Sequence, residues 1–164
     1  MFVAIAIAIL AIDQIAKAVV RANLVEGRIV RFVPGLLNLT FVQNVGAAFG
    51  LFPGRQPIFI VTSCFVLFAT AAYWRRAHPR EWPVVIALAM VSAGAVGNLI
   101  DRVVVGQVTD FLEFAFVRFP VFNVADMAIV CGVAVLALWL LFPVQQDPPP
   151  AAAEETSSEP EVPA

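Results

Sequence analysis

VFNVADMAIVCGVAVLALWLLF, residues Val121 to Phe142, holds no charged residue beyond Asp126. A run of this length and character is close to the ~20 residues a helix needs to cross a hydrocarbon core. Three more runs of the same kind lie upstream, at Phe2 to Val20, Pro57 to Trp74 and Trp82 to Ile100. Four spans put both termini on one side of a membrane. The whole chain agrees: of 164 residues, 61% are hydrophobic and 13% charged, against roughly 45–50% apolar in soluble domains. So small a chain would have to leave much apolar surface facing its solvent, which is tolerable when that solvent is lipid. The expected fold is an all-α membrane protein of four transmembrane helices.

Composition narrows the chemistry. A net charge of −2 with scattered Lys and Arg offers no footprint for a phosphate backbone, so nucleic acid is not an expected partner. Cys64 and Cys131 stand inside apolar runs without zinc or disulfide spacing and read as buried small hydrophobes. The single histidine, His78, falls in the polar turn after the second span. It is too far along the chain to serve as base for either thiol. No metal or other cofactor is expected, since the candidate ligands near the spans include no histidine, although an all-oxygen Mg or Ca site stays open.

The first run is interrupted by Asp13 and Lys17. It opens without the positive charge of a signal peptide and is read as a retained helix. The turn with Arg75, Arg76, His78 and Arg80 has the density of positive charge typical of cytoplasmic loops, which places both termini in the cytoplasm. Between the first two spans, Arg28 to Phe32 and Leu37 to Phe41 alternate in the strand manner about Pro34-Gly35, predicting a small β-hairpin or sheet element. The connection from Val103 to Pro120, on the same non-cytoplasmic face, reads as an apolar loop, with Phe111, Phe114, Phe116 and Phe119 resting on the bilayer or covering a groove. Residues 143–164 are rich in Pro, Ala and Glu, lack aromatics and are expected to form a disordered cytoplasmic tail after a membrane domain of residues 1–142.

Ionisable residues in or beside the spans carry the functional information, because burying them is costly. Asp13 and Lys17 are four residues apart and share a helix face. They can neutralise each other, or Lys17 can snorkel while Asp13 ties helices together. Asp101, Asp110 and Asp126 can meet at one membrane face, with Asn98 and Asn123 each three residues ahead of an aspartate. Asp101 has Arg102 or another cation available as an ion-pair partner, whereas Asp110 and Asp126 have no adjacent cation. Two carboxylates close together beside lipid cannot both ionise easily, so one keeps its proton and the other serves as base, which is chemistry for adding water to an amide. Ser63 or Ser92 with Lys17 as base is a further option, but both serines fall in mid-span.

Four polar stretches then occur in order: Asp13-Gln14-Ile15-Ala16-Lys17; Asn44-Val45-Gly46-Ala47-Ala48-Phe49-Gly50; Gly97-Asn98-Leu99-Ile100-Asp101-Arg102 with Gly106-Gln107-Val108-Thr109-Asp110-Phe111; and Phe122-Asn123-Val124-Ala125-Asp126. Together they resemble the lipoprotein signal peptidase (signal peptidase II) family over residues 1 to about 142. The resemblance implies an aspartic endopeptidase of the bacterial inner membrane, active near the periplasmic face, that removes the signal peptide of prolipoproteins just before a diacylglyceryl-modified cysteine. It places the catalytic dyad on Asp110 and Asp126. Supporting or substrate-binding roles fall on Asp13, Lys17, Asn44, Gly46, Asn98, Asp101, Arg102 and Asn123. Arg102 is taken as the partner of Asp101. Ala16 stands where the family usually carries Ser or Thr. The implied partners are prolipoproteins and membrane lipids, with the enzyme working as a monomer. Gly94, Gly97, Ala47 and Ala48 would admit a peptide or acyl chain closely, or simply pack helices, and the Phe-rich connection would act as a lid. Two readings from other classes compete: a small transporter relaying protons through its carboxylates, and a scaffold whose Asn and Asp residues only join helices.

Overall fold

In the computed structural model, which describes residues 1–46 and 56–142, Phe2–Asn23 forms helix α1, Gln56–Ala77 α2, Trp82–Ile100 α3 and Val124–Leu141 α4. All four are long and apolar enough to cross a membrane. The tail beyond residue 142 and the Ala47 to Gly50 part of the second motif lie outside the described residues.

These helices bury polar residues and expose apolar ones. On α1 the buried side chains are Asp13, Lys17 and Val20, one stripe of i, i+4, i+7 spacing, while Ile7, Ile12 and Ile15 face outward. On α2 no residue is buried. Lipid explains both, because it solvates apolar side chains and leaves polar ones to find partners inside the protein. The same inversion corrects the expectation for the cysteines: Cys64 and Cys131 are free and exposed on the outer faces of their helices.

The centre of the bundle is α3, which packs on each of the other three helices. Its buried stretch is rich in small residues, including Ala87, Ala89, Ala93, Gly94, Ala95 and Gly97. A Cβ on Gly94 would collide with the backbone oxygen of Ala125 on α4, and one on Gly97 would meet Asp13 Oδ2 at 2.6 Å. Helix packing is therefore what these glycines serve, rather than space for a substrate.

Beyond Ile100 the helix widens into a π-helical turn, Asp101–Val105. Gly106, with φ at +87°, closes the turn and donates its N–H to the Asp101 carbonyl at 3.1 Å. The Gln56 side chain at the start of α2 donates to the carbonyls of Arg102 (2.9 Å) and Gly106, binding the turn to α2. An L side chain at a positive φ costs roughly 1–2 kcal/mol. Gly106→Ala is expected to lower the thermal unfolding midpoint in detergent correspondingly, with Asp101 and Arg102 less firmly placed.

The predicted hairpin is present as β1, Ile29–Val33, antiparallel to β2, Leu37–Asn44, about the Pro34-Gly35 turn. A third strand, β3, Val108–Phe114, adds antiparallel to β2 in the order β1-β2-β3. This strand corrects the reading of residues 103–120 as a loop. Phe111 is not on the bilayer but joins Val20, Phe41 and Leu112 in a buried cluster under the sheet. Nor can Phe111 move as a lid residue from there. The rest of the connection folds into an aromatic group in which the Phe114 ring lies 5.0 to 5.7 Å from those of Phe116, Phe119 and Phe122. Since β2 leads from α1 to α2 and β3 from α3 to α4, the sheet sits at one end of the bundle. The Arg75 to Arg80 turn is at the other.

Candidate active site

Strand alternation aims β3 in two directions. Val108, Asp110, Leu112 and Phe114 line a cavity of about 590 Å³, while Thr109 and Phe111 turn toward α1. At the polar end of the cavity stand Asn44, Gly46, Arg102, Asp110 and Asp126; Phe119, Phe122, Met127, Ile129 and Val130 make its walls apolar. Asp126 arrives from the first turn of α4. Asn123 caps that helix, accepting the Asp126 N–H at 2.9 Å while Asp126 Oδ2 accepts the Asn123 N–H at 3.3 Å. This reciprocal cap starts the helix at Val124 rather than within the run from Val121.

Among the described residues, every hydrogen bond to the two carboxylates comes from an N–H. Asp110 accepts Asn44 Nδ2 at 2.8 Å and Asn123 Nδ2 at 2.7 Å. Asp126 Oδ1 accepts Asn98 Nδ2 at 2.7 Å. Gly46 closes the corner by donating its N–H to Asn44 Oδ1 at 2.9 Å. Burial and the neighbouring Asp126 charge push the Asp110 carboxyl up to about 7, against the pull of the two amide donors. Asp110 thus holds a proton through much of the range below neutrality.

Behind these two carboxylates lies a buried ionic group. Lys17 Nζ contacts Asp13 Oδ2 at 2.9 Å, Asp101 Oδ2 at 3.1 Å and Asn98 Oδ1 at 3.1 Å. Lys17 is 0% exposed, so it does not snorkel. Asp13 and Lys17 pair as the spacing allowed, and Asp13 also ties helices together, its Oδ1 accepting the Ala125 N–H of α4 at 2.9 Å. Asp101 accepts the Thr109 N–H at 3.0 Å. Its cationic partners are Lys17 and Arg21, the latter at 3.6 Å, not Arg102. Consecutive residues on a helix do not face one another. Arg102 instead donates to the Asn98 carbonyl at 3.2 Å, lies over the Phe59 ring at 5.3 Å and faces the cavity.

Sequence reasoning missed Arg21, which donates to Thr109 Oγ1 at 2.9 Å, and Gln14, which donates to Asp13 at 3.0 Å and to the Gly97 carbonyl at 3.2 Å. Arg21 was within reach, since Asp13, Lys17 and Arg21 repeat every four residues. Ser92 donates to the Thr70 hydroxyl at 3.3 Å, while the contacts of Lys17 are Asp13, Asp101 and Asn98, so Ser92 is not paired with Lys17. Among the described residues no three His, Cys, Asp or Glu side chains converge as a metal site.

The profile of the Signal peptidase (SPase) II family matches residues 5–142. A lipoprotein signal peptidase of Desulfitobacterium hafniense is 43% identical over 132 residues, covering 80% of this chain and 86% of that one. One of Moorella thermoacetica is 39% identical over 142 residues, covering 87% and 93%. Among solved structures, a bacterial membrane enzyme determined by the in meso method at 2.3 Å resolution superposes with a TM-score of 0.81 at 30% identity, covering 85% of this chain and 87% of that one. A second such structure, at 1.9 Å resolution, gives 0.80 at 30% identity, covering 87% and 94%. Neither the transporter nor the scaffold reading has a counterpart among these relatives.

Proposed function

The chain belongs to the signal peptidase II family, and from that premise we propose that it cleaves the signal peptide from diacylglyceryl-modified prolipoproteins just before the lipidated cysteine, using Asp110 and Asp126 as its dyad. The observation that carries this is their joint placement at the polar end of an otherwise apolar cavity. Asp126 takes a proton from a water held between the carboxylates as its oxygen attacks the scissile carbonyl carbon, and Asp110 gives its proton to the carbonyl oxygen. The tetrahedral species collapses as the carbon–nitrogen bond breaks, the amine leaving with a proton returned through the dyad. Arg102 lines the same cavity as the two aspartates. No metal or other cofactor takes part.

The apolar walls suit acyl chains that never leave the bilayer, so substrate arrives by lateral diffusion and loses less entropy on binding. The enzyme is multi-pass and belongs in the bacterial inner membrane as a monomer. Both termini are placed in the cytoplasm and the sheet end at the periplasmic face, because Arg75, Arg76, His78 and Arg80 gather at the other end. Cleavage of a purified diacylglyceryl prolipoprotein, compared with its unlipidated precursor, tests the whole scheme. Equal rates on both, or none on either, would refute it.

A pH dependence follows from Asp110, raised from 3.8 to about 7. Between those values the folded state binds more protons than the unfolded one, so this group's contribution to stability falls as pH rises through the window and levels off above it. Cleavage needs the proton, so kcat/KM is expected to decline on the alkaline side with a midpoint near 7. Asn44→Ala removes an N–H that favours the ionised form, and is expected to move that midpoint upward. A downward move or none in a pH–rate profile would contradict the assignment.

A further inference from the structure

Building on the peptidase reading above, we propose that Lys17 is a positioning residue that fixes the amide orientations of Asn98 and Asn123, so that the two aspartates meet only N–H donors. An ammonium group has three N–H donors and no acceptor. Lys17 spends them on Asp13, Asp101 and Asn98 Oδ1. Asn98 must therefore present its oxygen to α1, which turns its Nδ2 toward Asp126. The same oxygen accepts Asn123 Nδ2 at 3.2 Å. That turns the Asn123 amide so that its nitrogen also reaches Asp110 while its oxygen caps Asp126 N–H. One buried cation on α1 thus sets the direction of every side-chain hydrogen bond between the two asparagines and the dyad. An unanchored Asn98 could flip its oxygen toward Asp126, where it would demand the proton that catalysis has to move.

Among the described residues, the charged groups facing this network are Asp13, Lys17 and Arg21 from α1, Asp101 and Arg102 from the π-helical turn, Asp110 from β3 and Asp126 from α4. β2 offers Asn44 alone, and the arginines of α2, Arg75 and Arg76, are in its last turn, at the far end. Losing Lys17 removes both the anchor and a positive charge that favours ionised carboxylates. The test variants remove carboxylates together with the lysine, so the readout is kcat against KM rather than a shift along the pH axis.

Lys17→Met alone would strand two buried carboxylates, so the test combines it with Asp13→Asn and Asp101→Asn, which keep acceptors for the Ala125 and Thr109 N–H groups. The triple variant, folded by detergent thermal melt, is expected to lose at least about tenfold in kcat with KM within about twofold, the split that loss of positioning without loss of binding produces. The double variant Lys17→Met with Asp13→Asn removes the same anchor while leaving Asp101 its contact with Arg21 at 3.6 Å, and is expected to give the same split between kcat and KM. This arm decides the matter if the triple variant does not accumulate. A folded variant in the deciding arm with the wild-type kcat overturns the inference and leaves the peptidase reading standing. Absence of cleavage by the wild type refutes the reading itself, and with it the inference.

Discussion

Asp126→Asn and Asp110→Asn are each expected to reduce cleavage of a diacylglyceryl prolipoprotein by about 10³-fold or more while the protein stays folded. A positioned acid or base contributes typically 10²–10⁴-fold, and here each carboxyl has a role in both halves of the reaction. Folding should survive because the replacement asparagines can still accept at the oxygen. At Asp126 that keeps the bond from Asn98 or the Asn123 N–H, though not both in full. At Asp110 one of the two donors, Asn44 or Asn123, must turn away. The two substitutions should also be strongly non-additive, since loss of either member leaves the other without a partner to exchange the proton with. Parallel measurement with a chelator present is expected to leave the wild-type rate unchanged. Asp101→Asn supplies the contrast. Its carboxylate faces Lys17, Arg21 and the Thr109 N–H rather than the cavity, so its cost should show in the melting temperature before it shows in kcat. If Asp101→Asn instead matches the dyad variants in folded protein, the wrong pair has been identified.

The helices were legible because lipid solvation leaves a signal in composition alone: long runs without charge have few other uses. The first hairpin was legible for a different reason, the alternation from Arg28 to Phe41 about Pro34-Gly35. β3 was not, because Val108 to Leu112 is buried on both faces, one toward the cavity and one toward α1. A strand covered on both sides loses its polar and apolar alternation and looks like an apolar loop. Ion-pair partners were the least legible feature. Arg102 beside Asp101 was the natural guess along the chain, yet the partners of Asp101 are Lys17 and Arg21, brought from α1 by packing against α3. Sequence spacing set Asn98 with Asp101 and Asn123 with Asp126, yet Asn98 bonds Asp126 and Asn123 also reaches Asp110, a crossing pattern that depends on the α3 and α4 contact that Gly94 and Gly97 permit. Local sequence therefore named the polar groups of the site, while close helix approach decided which of them touch.

That dependence makes Asp13 the residue whose truncation should damage the fold most. Its Oδ2 meets Lys17 at 2.9 Å, and its Oδ1 accepts the Ala125 N–H at 2.9 Å. That N–H is one of the first-turn donors of α4 that no helical carbonyl can satisfy. Asp13→Ala removes both contacts at a wholly buried position. Breaking one member of a buried ion pair costs about 3–5 kcal/mol, because the surviving charge is left short of a partner. Here Asp101 still faces Lys17, which holds the loss toward the lower end of that range, but the orphaned Ala125 N–H adds about 1–3 kcal/mol. Asp13→Asn keeps an acceptor for Ala125 and nearly the same volume beside Gly97 but loses the charge facing Lys17, so it should be spared the roughly 1–3 kcal/mol of the orphaned N–H and no more. Denaturant or thermal unfolding in detergent distinguishes the two. A ranking of Ala far below Asn requires that Asp13 join α1 to α4 through hydrogen bonding as well as charge. Equal losses would assign its contribution to the charge on Lys17 alone, and the α4 contact would then be incidental to stability.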